Sequence, residues 1–183
     1  VCDELGLALH MDGARIFNAI VATGSSAQAW GAPFDTISIC LSKGLGAPVG
    51  SVLVGGKESI HHARRIRKRF GGGMRQAGII AAAGLHALDH HIERLAEDHV
   101  HARVLGTTLS SLPYVAHVVS VDTNIVVSTL KDPTRLEALL AHLESNGIRA
   151  MAFGPGMMRM VTHLDVDTAA IDRACGALAS FNG

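Results

Sequence analysis

Residues 35–54 read DTISICLSKGLGAPVGSVLV, and the reading of this stretch decides the fold. Asp35 to Leu41 is a short apolar run rich in β-branched residues, the pattern of a buried strand. The run stops at Ser42-Lys43-Gly44-Leu45-Gly46, a glycine-rich turn, and Gly50 to Val54 begins a further strand. Upstream, Leu5 to Met11 reads as another buried strand ending at Asp12, followed by a helical run over Gly13 to Val21. Gly24 to Pro33, with its Gly, Ser and Pro, reads as a loop. Short strands on short connections resemble the edge of a larger sheet more than a complete one.

Working outward, Lys57 to Phe70 is a helix candidate carrying a basic run at Arg64, Arg65, Arg67, Lys68 and Arg69. Glycines 71 to 73 interrupt it, and Gln76 to about Leu109 suits one long helix or a broken pair. Beyond Pro113 the pattern changes. Val115 to Val121 and Asn124 to Leu130 read as strands, and Pro133 to Asn146 as a helix entered at Asp132 and ended by Gly147. Ile148 to Phe153 and Met157 to Thr162 read as a hairpin around Gly154-Pro155-Gly156, and Asp167 to Phe181 as a closing helix. The order β-β-α-β-β-α describes a two-layer α+β unit. The expected class is therefore α/β: part of a large mixed domain over 1–105, then a small α+β C-terminal domain over 106–183.

Composition bounds the function. The 183 residues are 48% hydrophobic and 17% charged, which excludes an intrinsically disordered chain. Sixteen basic and sixteen acidic residues cancel, so no global field favours nucleic acid or an anionic membrane. Aromatics are only 4%, too few for a base-stacking platform. The uncharged stretch Val104 to Val121 carries Ser, Thr, His and Pro, and Gln76 to Leu88 is too short to span a bilayer. Cys2, Cys40 and Cys175 are widely spaced without a CxxC, so reduced thiols and a cytoplasmic protein are expected.

The chemistry concentrates at the strand ends. Lys43 follows an apolar strand among small residues, where strand C-termini open into a cleft and a buried amine becomes a usable nucleophile. A solvated loop lysine would have the same sequence. Asp12 ends the neighbouring strand, and Arg15 follows at the start of a helix. An N-capping aspartate with a structural ion pair is the plainer account of that pair. Taken together, a strand-end carboxylate and a strand-end lysine fit pyridoxal phosphate (PLP) chemistry, in which the carboxylate keeps the ring nitrogen protonated and the lysine forms the Schiff base. The arginine suits a phenolate oxygen or a substrate carboxylate.

Four blocks, HMDGARIFNA (10–19), SICLSKGLGAPVGSVLVG (38–55), RKRFGGGMRQAG (67–78) and MRMVTHLDV (158–166), closely resemble the low-specificity L-threonine aldolases. These are fold-type I PLP enzymes of the β-eliminating lyase/aldolase group. The resemblance implies that Lys43 carries the Schiff base, Asp12 pairs with the pyridine nitrogen, and Arg15 lies by the phenolate and the substrate carboxylate. It further implies that Ser42 bonds the cofactor phosphate and that Arg159 clamps the carboxylate of a β-hydroxy amino acid from the small domain. Lys68 and Arg75 would approach an active site, that of a neighbouring subunit in a homo-oligomer. The GGGMRQ turn itself places Arg75 near a helix N-terminus, a natural anion site. Family members are roughly twice as long, and their N-terminal part holds a phosphate-binding loop and two active-site histidines without counterparts here. The chain is therefore expected to be a C-terminal half, unable to hold PLP properly alone.

The eleven histidines suggest no metal centre, because no HExxH or Cys/His set with zinc spacing occurs. His86 and His90 are placed to share a helix face, and His163 to position local backbone. The alternatives to threonine aldolysis are another fold-type I lyase, such as a β-eliminating or phenylserine-type enzyme, a non-catalytic interaction module, and a histidine-based metal-binding protein.

Overall fold

A computed structural model describes residues 1–182. Internal contacts divide the chain into two compact units, Val1–Arg94 and Leu95–Gly183. Position 106, the boundary read from the sequence, falls further along, inside the first helix of the second unit.

The first unit contains α1 (Cys2–Leu5), β1 (His10–Asp12), α2 (Ile16–Thr23), α3 (Ala27–Gly31), β2 (Thr36–Cys40), β3 (Ser51–Gly55), α4 (Lys57–Arg69) and α5 (Gly78–His90). Its three-stranded sheet has the order β1-β2-β3, with β1 parallel to β2 and β3 antiparallel to it. The register places Asp12 beside Ser38, Ile37 beside Val54 and Cys40 beside Ser51. Paired residues share a face and alternate ones oppose it. Asp12, Ser38, Cys40 and Ser51 therefore lie on one face, and Met11, Ile37, Ile39 and Val54 on the other. Ile37 belongs to the unit's buried set with Ile16, Leu41, Leu45, Ala47 and Ala87.

Two elements differ from the sequence reading. The strand expected over Leu5 to Met11 is confined to His10–Asp12. Its entry is fixed by Asp35, whose carboxylate accepts from the Leu9 amide at 2.7 Å while its own amide donates to the Leu9 carbonyl at 2.9 Å. Leu5 and Leu7 stay exposed, and Cys2–Leu5 forms a helical turn closed by Gly6 at φ +62°. The expected loop over Gly24 to Pro33 contains α3, which Ser26 starts by accepting from the Ala29 amide at 3.1 Å.

The second unit contains α6 (Leu95–Ser111), β4 (Val115–Val118), β5 (Ile125–Leu130), a 3-10 turn (Pro133–Arg135), α7 (Leu136–Ser145), β6 (Met151–Gly154), β7 (Met157–Val161) and α8 (Thr168–Ser180). The anticipated β-β-α-β-β-α order is present, with each expected strand pair antiparallel and β5 joined to β7 in a sheet ordered β4-β5-β7-β6. Alternation sends Val126 and Leu130 of β5 and Met158 and Met160 of β7 into the core. There they meet Leu105 and Leu109 of α6, Leu139 and Leu143 of α7, and Leu178 of α8. Burial of each such side chain contributes about 1.5–3 kcal/mol. A polar strut accompanies them: the Thr162 hydroxyl donates to the Asp98 carbonyl at 2.6 Å, and the Asn124 side-chain Nδ2 donates to the Thr162 carbonyl at 2.8 Å. The expected helical middle is thus a broken pair, α5 and α6, rather than one rod.

Candidate active site

Because β1 and β2 are parallel neighbours, their C-terminal ends point the same way, and both carry the residues picked out from the sequence. Asp12 closes β1, and its Oδ1 accepts from the Ala14 amide at 3.1 Å. The Gly13 amide donates to the Ser38 carbonyl at 2.8 Å, which ties this turn to β2. Gly13 is required by that approach, since a Cβ there would stand 2.9 Å from Ile37 Cγ2 and 3.0 Å from the Ser38 carbonyl.

Past Cys40 the chain enters the lysine loop. The Gly46 amide donates to the Lys43 carbonyl at 2.9 Å, the Ala47 amide to the Leu41 carbonyl at 3.0 Å, and the Leu41 amide to the Gly50 carbonyl at 3.0 Å. Gly46 takes φ +70°, a conformation that favours glycine. Leu41, Leu45 and Ala47 are buried and anchor the loop, whereas Ser42 and Lys43 are exposed, so the burial expected for the lysine amine is absent from this chain. Half-buried Arg15 sits at the start of α2 and lines, with Asn18, Cys40, Gly44 and Leu45, a cavity of about 10 Å³. That volume is about one water's worth, so the Asp12–Arg15 turn and the lysine loop are closely packed. Asp12, Arg15, Ser42 and Lys43 are therefore brought to one end of one sheet.

The donor set fits PLP. An exposed primary amine suits a carbonyl carbon, and an exposed carboxylate on the adjoining strand end suits a protonated ring nitrogen. The Ser42 hydroxyl and Arg15 guanidinium suit anionic oxygens.

The remaining candidates come from other elements of the chain. Lys68 is in the last turn of α4, and its side chain runs along Gly73, where a Cβ would collide with it. Arg75 is exposed in the connection to α5, just before that helix begins at Gly78. Arg159 belongs to the second unit, on the face of β7 opposite Met158 and Met160. Its guanidinium lies 5.8 Å from the Phe153 ring centroid and its Nη1 lies 3.9 Å from Met151 Sδ. This cradle from β6 was not singled out from the sequence. The signal was there, since Met151 and Phe153 alternate along the strand that hairpins onto Arg159.

His86 and His90 do share a helix face, with ring centroids 4.5 Å apart. His163 Nδ1 accepts from the Asp165 amide at 3.3 Å, a local backbone contact. Among the described residues no three His, Cys, Asp or Glu side chains converge as metal ligands, and no helix is long and apolar enough to cross a membrane.

Comparison with known proteins bears on the family and the fold. Residues 1–133 match the family model described as beta-eliminating lyase. The chain is 41% identical over 166 residues to low-specificity L-threonine aldolase 1 of Arabidopsis thaliana, covering 89% of this chain and 46% of that protein. It is 45% identical over 163 residues to the low specificity L-threonine aldolase of Escherichia coli O157:H7, covering 89% of this chain and 47% of that protein. The chain thus spans about half the length of the curated relatives it matches. A solved threonine aldolase structure from Leishmania major aligns with a TM-score of 0.79 at 21% identity, over 97% of this chain and 52% of that one. The fold is that of part of the fold-type I architecture, as expected from the sequence.

Proposed function

The chain belongs to the beta-eliminating lyase family, and from that membership we propose that it is the lysine-bearing part of a PLP-dependent aldolase. The reaction is cleavage of L-threonine and L-allo-threonine to glycine and acetaldehyde. The parallel pairing of β1 with β2, with Asp12 ending one strand and Lys43 following the other, carries this reading. The threonine aldolases similar to this chain support the substrate class.

When bound, PLP supplies an aldehyde that captures amines and a ring that withdraws electrons from the substrate's Cα. Lys43 holds the cofactor through its side-chain nitrogen. Asp12 would face the ring nitrogen and keep a proton there. Ser42 and Arg75 bond the phosphate. Arg15 and Lys68 bind the amino acid, and the resemblance alone assigns Arg159 of the second unit as a carboxylate ligand. A carboxylate held in this way would restrict the substrate to few orientations at the site. The base that takes the hydroxyl proton lies outside these residues. Lys68 and Arg75 serve the site of a neighbouring copy, so the working form is a homo-oligomer, a dimer or tetramer, that meets neither nucleic acid nor membrane. The three free cysteines suit residence in the cytoplasm.

The test uses the protein as its gene encodes it. After incubation with PLP and reduction with borohydride, peptide mapping is expected to find the pyridoxyl group on Lys43. Acetaldehyde release is expected from both threonine diastereomers and to exceed turnover of β-aryl serines. Label on another lysine, or no aldehyde from either threonine, overturns the reading.

A further inference from the structure

We propose that His91 is a positioning residue for Lys43, acting through the carbonyl of Leu45; this rests on Lys43 being the cofactor-bearing amine. The loop's backbone bonds, Gly46 to Lys43 and Ala47 to Leu41, close it upon itself. The Leu45 carbonyl instead meets His91 Nδ1 at 2.6 Å, from a residue 46 positions away. A carbonyl oxygen only accepts, so Nδ1 must carry a proton in this contact.

The rest of α5 supports the same grip. His91 caps the helix, its amide donating to the Ala87 carbonyl at 2.9 Å. Gly84, Ala87 and His91 follow one another at helical spacing and form one face. Ala87 is buried, and a Cβ on Gly84 would stand 2.9 Å from Leu41 Cδ1. This small-residue face lets α5 approach Leu41 closely, while His91 holds Leu45. Leu41 and Leu45 flank Ser42-Lys43-Gly44, so one helix fixes both ends of the segment that carries the amine. The His91 ring is itself held, with the His86 ring edge-on at 5.3 Å and the His90 ring 4.5 Å beyond. Freed at Leu45, the loop would present Lys43 over a spread of positions, and bond formation to an aldehyde requires one of them.

The experiment compares wild type with His91→Leu, His91→Asn and His91→Asp in the protein as its gene encodes it. The Asn amide nitrogen can occupy the place of Nδ1 and donate; Asp has the same shape without a donor. Three readouts are taken: the PLP dissociation constant of apo-protein, the pH midpoint of the absorbance band of the lysine-bound cofactor, and hydrogen exchange of the Gly46 and Ala47 amides without cofactor. His91→Leu and His91→Asp are expected to weaken PLP binding roughly five- to tenfold, the scale of one lost hydrogen bond. They should also shift the band's midpoint and speed exchange of both amides, while His91→Asn stays near wild type. If His91→Leu does not fold, the Asn–Asp contrast alone decides. Wild-type behaviour in all variants overturns the proposal, as does an Asn variant indistinguishable from Asp. Wild-type protein that takes up no PLP on Lys43 defeats instead the functional reading, and this proposal with it.

Discussion

The amide of Gly13 donates to the carbonyl of Ser38 at 2.8 Å, and this bond sets where Asp12 stands relative to the strand that leads to Lys43. It continues the parallel ladder one residue beyond β1, so the carboxylate emerges where the ladder ends. Asp12→Asn tests the charge alone. The amide oxygen can still accept from the Ala14 amide, which keeps the turn. The variant should fold and retain PLP, yet lose turnover by roughly a hundredfold or more, as expected when an electrostatic partner of the reacting system is removed. Steady-state kinetics beside a cofactor titration reads both; near-normal turnover would remove Asp12 from the role.

Gly13→Ala tests the closeness of the same turn. The new methyl would press on Ile37 Cγ2 and the Ser38 carbonyl, one in the core and the other backbone. Neither can move without disturbing β2, so a loss of about 1–3 kcal/mol in unfolding free energy is expected. Gly31→Ala is the control, because its Cβ would meet only Ile37 Cδ1 at an ordinary 3.7 Å. Urea midpoints should separate the two; equal midpoints would mean that the approach of β1 to β2 is not tight.

Arg159→Leu tests the proposed role of Arg159 as a carboxylate ligand. Leucine keeps β7 compatible with its sheet, since Met158 and Met160 still fill the core on the other face. What is lost is a guanidinium steadied by Phe153 and Met151. A charge-assisted hydrogen bond is worth about 1.5–3 kcal/mol, so KM for threonine should rise on the order of tenfold to a hundredfold. Arg159→Lys should recover only part, because an ammonium lacks the planar fork. An unchanged KM in the leucine variant would exclude substrate contact.

Much of this was legible in sequence because the informative residues sit where apolar runs stop. Asp12 and Lys43 each follow a short hydrophobic stretch, and that local pattern suffices to place Asp12 at the end of β1 and Lys43 in the loop just past β2. Other features were hidden for physical reasons. The shortening of the first strand depends on Asp35 satisfying both backbone groups of Leu9, a pairing between residues 26 apart. Helix α3 is a single turn started by Ser26, in a segment whose Gly and Pro signal a loop. The grip of His91 on Leu45 joins distant positions, and nothing near either residue announces it. Local periodicity reports which residues share a face; it does not report which faces meet.

Tyr114 provides a test of the second unit that is independent of any cofactor. Its hydroxyl donates to the Leu178 carbonyl at 2.8 Å, its ring meets Phe181 edge-on at 5.3 Å, and burial pushes its pKa up to about 12. In the unfolded chain a tyrosine ionises near pH 10. Below about pH 10 both states hold the proton and the residue adds no pH dependence. Between about pH 10 and 12 the unfolded chain releases a proton that the folded chain keeps, so stability falls as pH rises. Tyr114→Phe retains the ring contact and removes this slope. It also costs about 1 kcal/mol at neutral pH for the lost hydrogen bond, although the Leu178 carbonyl keeps a contact from the Phe181 amide at 3.4 Å. Denaturation midpoints followed from neutral pH to about pH 11 should start apart and converge, because only the wild type carries this proton linkage. Parallel curves across that range would mean that the phenol is not held neutral by the fold.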